Sequence, residues 1–261
     1  MTIEEIEKLV QDSVGKKKII SLKTYLLSDY GESMLKVIVN NILEKFNRID
    51  LMEMVYSSAK ELIINATKAN LKRVIFYNLN LEPSKEEDYH QGMAFFKNNI
   101  SEEKILSYKA YFKKYNVPVV ATFYYNSYVL NIKVKNSFPL LDIEERRIRD
   151  KFQKATSFSS LLDFFMEYGD DTEGAGMGLT MVGILLDQSG IDKRSFSLYS
   201  SKKYNETVAK LEIPLDKEYI PKRKLFDIVL EGESLMPDEL RDSFNYNYKD
   251  FSKVSEKYNN P

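Results

Sequence analysis

One stretch limits what this chain can fold into more than any other. Leu51, Val55, Ala59, Leu62, Ala66 and Ala69 recur at steps of three and four. That spacing draws a continuous apolar stripe along a helix, so the segment must press one face against a core. Asp50 stands where a cap for the first turn belongs. Beside the stripe, Glu61, Asn65 and Lys68 are four and three residues apart, so a carboxylate, an amide and an ammonium share a second edge of the same helix. Standing alone, that edge reads as a solvated helix face.

The remaining elements arrange themselves around this helix. Residues 2 to 12 suit a short amphipathic helix ending near Gly15. Ile19 to Leu26 alternates like a strand with one wet face, and Ser28 to Glu32 supplies cap residues for a helix reaching Phe46. Arg73 to Leu81, rich in β-branched and aromatic residues, reads as a strand directly after the long helix. Residues 83–115 are charged and helix-like, with a capping-box pattern at Ser101 to Lys104, and read as one or two helices inserted between strands. Val117 to Tyr125 and Tyr128 to Val134 form a hairpin around Asn126-Ser127. Arg194 to Ser200 and Glu206 to Ile213 form a closing pair of strands. Asp142 to Lys154 is helix-like, and Pro237 to Phe244 is a short helix in a peripheral tail.

A second feature lies far downstream. Gly174-Ala-Gly-Met-Gly178-Leu179 holds three of the ten glycines at alternating positions, followed at once by a helix-like run from Gly178 to Gln188. Alternating glycines let the backbone turn tightly and approach an anion, whose charge the start of the next helix favours. An ordinary flexible turn before a helix reads the same way.

Composition narrows the chemistry. Lys plus Arg (38) balances Asp plus Glu (39), leaving no global field to attract nucleic acid or an anionic membrane. The absence of cysteine excludes disulfides, thiolate metal sites and cysteine nucleophiles, and His90 as the only histidine excludes a multi-histidine metal site. The amino terminus is charged where a signal peptide needs an apolar core, and no apolar run reaches membrane-spanning length, so a cytoplasmic protein is expected.

Taken together, Glu61-Leu-Ile-Ile-Asn65-Ala-Thr-Lys68 resembles the asparagine box of the histidine-kinase-like ATPases, and Gly174 to Leu179 resembles their second glycine box. Thr207, seven residues before Pro214, is similar to the threonine of the closing strand in sensor-kinase catalytic domains. The resemblance covers residues 17–215, leaving residues 1–16 as an N-terminal helical segment and 216–261 as a C-terminal extension. It implies a two-layer α/β sandwich of the Bergerat ATP-binding type, with a mixed sheet, helices on one face and a nucleotide between helices and a mobile lid. By position, the resemblance makes Asn65 the magnesium ligand and Glu61 the residue that polarises the attacking nucleophile. Lys68 neutralises phosphate charge. Gly174, Gly176 and Gly178 cradle the phosphates, with Leu179 and Thr207 completing the nucleotide-binding set and residues 141–173 forming the lid.

The sequence departs from that pattern where an Asp-x-Gly-x-Gly box should follow the hairpin. There Val134-Lys-Asn136-Ser-Phe138-Pro-Leu140 stands instead, so Asn136 offers only a neutral carbonyl oxygen to adenine. Phe138 and Leu140 are expected to crowd the base and to strain any position needing positive φ. His90 lies in the insertion and does not match the family's phosphoacceptor. The expected protein therefore binds ATP and magnesium and hydrolyses ATP slowly or phosphorylates a protein partner, alone or as a homodimer. Two alternatives stay open: a nucleotide-independent binding module, and a regulator similar to the anti-sigma serine kinases, whose amino-terminal element order is alike.

Overall fold

The computed structural model describes residues 2–155, 177–232 and 236–244. Its centre is a five-stranded sheet in the order β1-β2-β3-β5-β4, formed by β1 (Ile20–Thr24), β2 (Val119–Tyr125), β3 (Val129–Asn136), β4 (Phe196–Ser201) and β5 (Glu206–Pro214). Each of the four strand interfaces is antiparallel, so the sheet is not mixed as expected. Two hairpins, β2–β3 and β4–β5, impose that direction, and β5 inserts beside β3 to leave β4 at the edge.

One face of the sheet is apolar and carries the helical layer, which makes the fold a two-layer α/β sandwich. Leu22, Ala121, Phe123, Leu130, Ile132, Val134, Leu211 and Ile213 point into this layer from the strands. Opposite them lie α2 (Asp29–Lys45), α3 (Met52–Asn78) and α8 (Met177–Gln188), with α8 and α2 both packed on α3. Helix α1 (Ile3–Gly15), capped by Thr2 through a full capping box, contributes Ile6, Val10 and Val14 to the same core. The N-terminal segment is therefore part of the main fold. No helix among the described residues is long and apolar enough to cross a membrane.

Two local expectations fail for tertiary reasons. Asp50 does not cap α3; it pairs with Arg48 at 3.0 Å inside a short 3-10 turn, while Arg48 also donates to the carbonyls of Pro214 and Leu215 at the end of β5. Arg73 to Leu81 is no strand, because α3 continues to Asn78. Leu71, Val74, Ile75 and Phe76 are buried there by the inserted helices α4 (Glu86–Asn98), α5 (Glu102–Ser107) and α6 (Lys109–Lys114). Burial on two sides overrides β propensity. Gly92 permits the close crossing, since a Cβ there would stand 2.4 Å from the Phe76 ring.

The C-terminal extension leaves the helical layer. Helices α9 (Lys222–Gly232) and α10 (Pro237–Ser243) form a separate cluster with Val129 on the opposite face of the sheet. Helices therefore flank both faces, the second only in part.

Candidate functional site

A cleft with a free volume of about 140 Å³ opens between α3 and the sheet. The polar edge of α3 forms one wall with Asn65, Lys68 and Lys72. Val134, Asn136, Leu198, Thr207 and Ala209 come from the strands, and Leu179 comes from α8. Leu140, Glu144, Arg147 and Ile148 cover it from the strap after β3 and from α7 (Asp142–Ala155).

Far-separated residues meet at the mouth. Gly178, the second residue of α8, lies so close to α3 that a Cβ would stand 1.8 Å from Glu61 Oε1 and 2.3 Å from Asn65 Nδ2. Gly178 is needed for room and not for backbone freedom, because it sits within a regular helix. Asn65 Nδ2 donates to Glu61 Oε1 at 3.0 Å, which fixes the amide with Oδ1 turned the other way. That oxygen is buried and has no hydrogen-bond partner among the described residues. A buried acceptor left unsatisfied costs on the order of 1–3 kcal/mol, so the position suits a ligand that will bind oxygen. Among the described residues no group of three or more His, Asp or Glu side chains could hold a metal by itself. A magnesium ion would fit on different terms: it takes one or two protein oxygens and completes its shell with phosphates and water. Gly174, Gly176 and residues 156–173 of the expected lid lie outside the described residues.

Asn136 is buried at the end of β3. Its Nδ2 donates to the Ala66 carbonyl at 2.8 Å and to Asn70 Oδ1 at 2.7 Å, while Asn70 Nδ2 donates to the Val117 carbonyl at 2.7 Å. The final acceptor is a backbone carbonyl, so the order of donors is fixed along the chain of amides, and Asn136 can offer the cleft only its oxygen. Thr207 donates its hydroxyl to the Phe138 carbonyl at 2.8 Å.

The segment replacing the first glycine box is a fastened strap. Leu140 N donates to Ser200 Oγ at 2.8 Å, Asn205 Nδ2 donates to the Ser137 carbonyl at 3.1 Å, and Arg73 donates to the Pro139 carbonyl at 3.2 Å. No residue from 136 to 140 adopts positive φ, so glycine is not required there. Phe138 does not crowd the cleft as expected: its ring is buried under the Arg73 guanidinium, 4.8 Å from the centroid, and only Leu140 reaches the lining.

Arg73 also anchors α7. Glu144 accepts from Arg73 at 2.5 Å, from the Leu141 amide at 2.9 Å, and pairs with Lys72 at 3.2 Å. Burial pushes the Glu144 carboxyl up, but Lys72 and Arg73 outweigh it and hold the group below the usual carboxylate range. Arg147 donates to the Tyr89 hydroxyl at 3.1 Å, tying α7 to the inserted α4. His90, on the outer side of α4 with 74% of its side chain exposed, is not among the cleft residues.

Sequence reasoning missed Lys72, Arg73, Glu144 and Arg147. Lys72 continues the edge of Glu61, Asn65 and Lys68 by another step of four, but ending the helix at residue 72 hid it.

A protein of Treponema pallidum (strain Nichols), described as an uncharacterized protein, is 27% identical over 195 residues, which are 75% of this chain and 37% of that protein. The chain thus spans little more than a third of the relative's length. No family model and no solved structure matches.

Proposed function

We propose that this chain binds ATP with magnesium in the cleft along α3, and hydrolyses it slowly or passes the phosphoryl group to a protein partner, as the histidine-kinase-like ATPases it resembles do. The observation that carries the reading is the packing of Gly178 directly on Glu61 and Asn65, with Asn65 Oδ1 left without a partner among the described residues. Residues more than a hundred positions apart meet where a phosphate chain would have to lie. The free volume of about 140 Å³ takes a flat ring and not a whole nucleotide, so the triphosphate would run out toward the start of α8. There the positive end of the helix dipole favours negative charge.

The side chains divide the work. Asn136, locked with its oxygen outward, accepts from an exocyclic amino group such as that of adenine and opposes a carbonyl at the same place. Lys68 and Lys72 set positive charge along the wall. Asn65 would hold magnesium through Oδ1, and the ion, when bound, supplies charge neutralisation at the phosphates. Glu61, one turn away, is free at Oε2 to orient an attacking hydroxyl or water and accept its proton.

Calorimetric titration of ATP with and without magnesium tests this. Binding that needs magnesium and is lost in Asn65→Ala is the expected result. No heat at millimolar ATP would instead favour a nucleotide-independent binding module.

A further inference from the structure

The opposite face of the sheet holds a second groove, of about 670 Å³, roofed by α9 and α10. Its size falls within the roughly 300–1,000 Å³ of small-molecule sites. The floor is unusual for two neighbouring central strands. Lys133 on β3 stands directly opposite Lys210 on β5, and Asn131 stands opposite Glu212. Like charges facing each other across a ladder cost stability. Lys222 and Arg223, from the start of α9, bring further positive charge to the same lining.

The carboxylates in that lining are already engaged. Glu212, 3% exposed, pairs with Lys210 and accepts from the Tyr219 hydroxyl at 2.9 Å and the Lys222 amide at 2.8 Å. Asp227 pairs with Arg194 at 3.1 Å. Lys133 and Lys222 form no ion pair with a carboxylate of the described residues, and burial, then Lys210, press both ammonium groups below their ordinary pKa. A separate observation points to a ligand: Asn131 is only 4% exposed, lines the groove, and its Oδ1 has no hydrogen-bond partner among the described residues.

We infer that this groove binds a small phosphorylated molecule, its phosphate held among Lys133, Lys210 and Lys222, with a hydroxyl or amine of the same ligand donating to Asn131 Oδ1. The anion relieves the facing lysines, and the donor satisfies the buried oxygen. Because the sheet separates this groove from the cleft, the inference stands apart from the reading proposed above.

Calorimetry on the full chain with ribose 5-phosphate, inorganic phosphate and ribose tests it. Ribose 5-phosphate should bind, inorganic phosphate should bind more weakly, and ribose should give no heat. Lys133→Gln and Lys222→Gln should each weaken ribose 5-phosphate about tenfold, the loss of one charge-assisted hydrogen bond. Asn131→Leu should weaken ribose 5-phosphate more than inorganic phosphate, and Asn65→Ala should change neither. Lys133→Gln removes a like-charge contact, so its ligand-free Tm should equal or exceed that of the parent. The inference is overturned by the absence of heat from both phosphates at millimolar concentration, by binding that responds to Asn65→Ala and not to Lys133→Gln, or by a lowered Tm in Lys133→Gln.

Discussion

Replacing Gly178 by alanine separates the fold of this protein from the chemistry proposed for it. The added Cβ would stand 1.8 Å from Glu61 Oε1, 2.3 Å from Asn65 Nδ2 and 2.6 Å from Glu61 Cδ. Glu61 ends a flexible side chain and can swing outward, so the crowding should cost about 1–3 kcal/mol. Exchanging glycine for alanine in a helix returns about 1 kcal/mol. The net loss of about 0–2 kcal/mol corresponds, in a chain of this size, to a Tm lower by no more than about 8 °C. The cleft suffers more: Glu61 cannot keep its 3.0 Å hydrogen bond to Asn65, so the amide is no longer held with Oδ1 buried and waiting. Affinity for ATP with magnesium should fall at least about tenfold, equivalent to one hydrogen bond to a charged group. Circular dichroism melts without ligand and calorimetry with ATP measure the two effects separately. Unchanged affinity in a folded Gly178→Ala protein would refute the claim that this contact grips the triphosphate.

Glu61→Gln keeps the acceptor for Asn65 and should bind ATP normally while phosphate release falls about a hundredfold; equal loss of both would make Glu61 a binding residue. Glu144→Gln strands Arg73 and Lys72 beside a neutral group and should cost about 3 kcal/mol in urea unfolding at pH 7. Since the Glu144 pKa is depressed by folding, its stabilisation is present above the unfolded carboxylate value and is lost as pH falls through the folded one. The gap between the two proteins should therefore begin to narrow near roughly pH 4 and go on narrowing as the pH falls further, and a gap that stays constant through that fall would contradict the ion-pair account. Asn136→Ala removes both donors to Ala66 and Asn70 and should destabilise by about 1–3 kcal/mol in the same assay.

Much of the helical layer was legible because period and caps are local. The stripe from Leu51 to Ala69 and the pattern behind α1 and α2 describe one face of each helix, and the hairpin turn at Asn126-Ser127 needs no distant partner. Where local preference and burial disagreed, the sequence misled. Arg73 to Leu81 has strand-forming residues, yet two layers of neighbours hold most of it in α3, and the error concealed Lys72 and Arg73. The strap at Ser137 to Leu140 looked obstructive because its anchors, Arg73, Ser200, Asn205 and Thr207, are 60 or more positions away.

By itself the sequence determined which residue types could do chemistry, a carboxylate and amide on one helix edge and glycines before another, since those depend on spacing along a single element. Only the tertiary structure decided that Gly178 touches Glu61 and Asn65, that Asn136 can show nothing but its oxygen, and that Lys133 faces Lys210 on the far side of the sheet. Contacts of that kind follow from how elements cross and in which register strands pair. Both are fixed by the packing of the whole core, and no short run of residues encodes them.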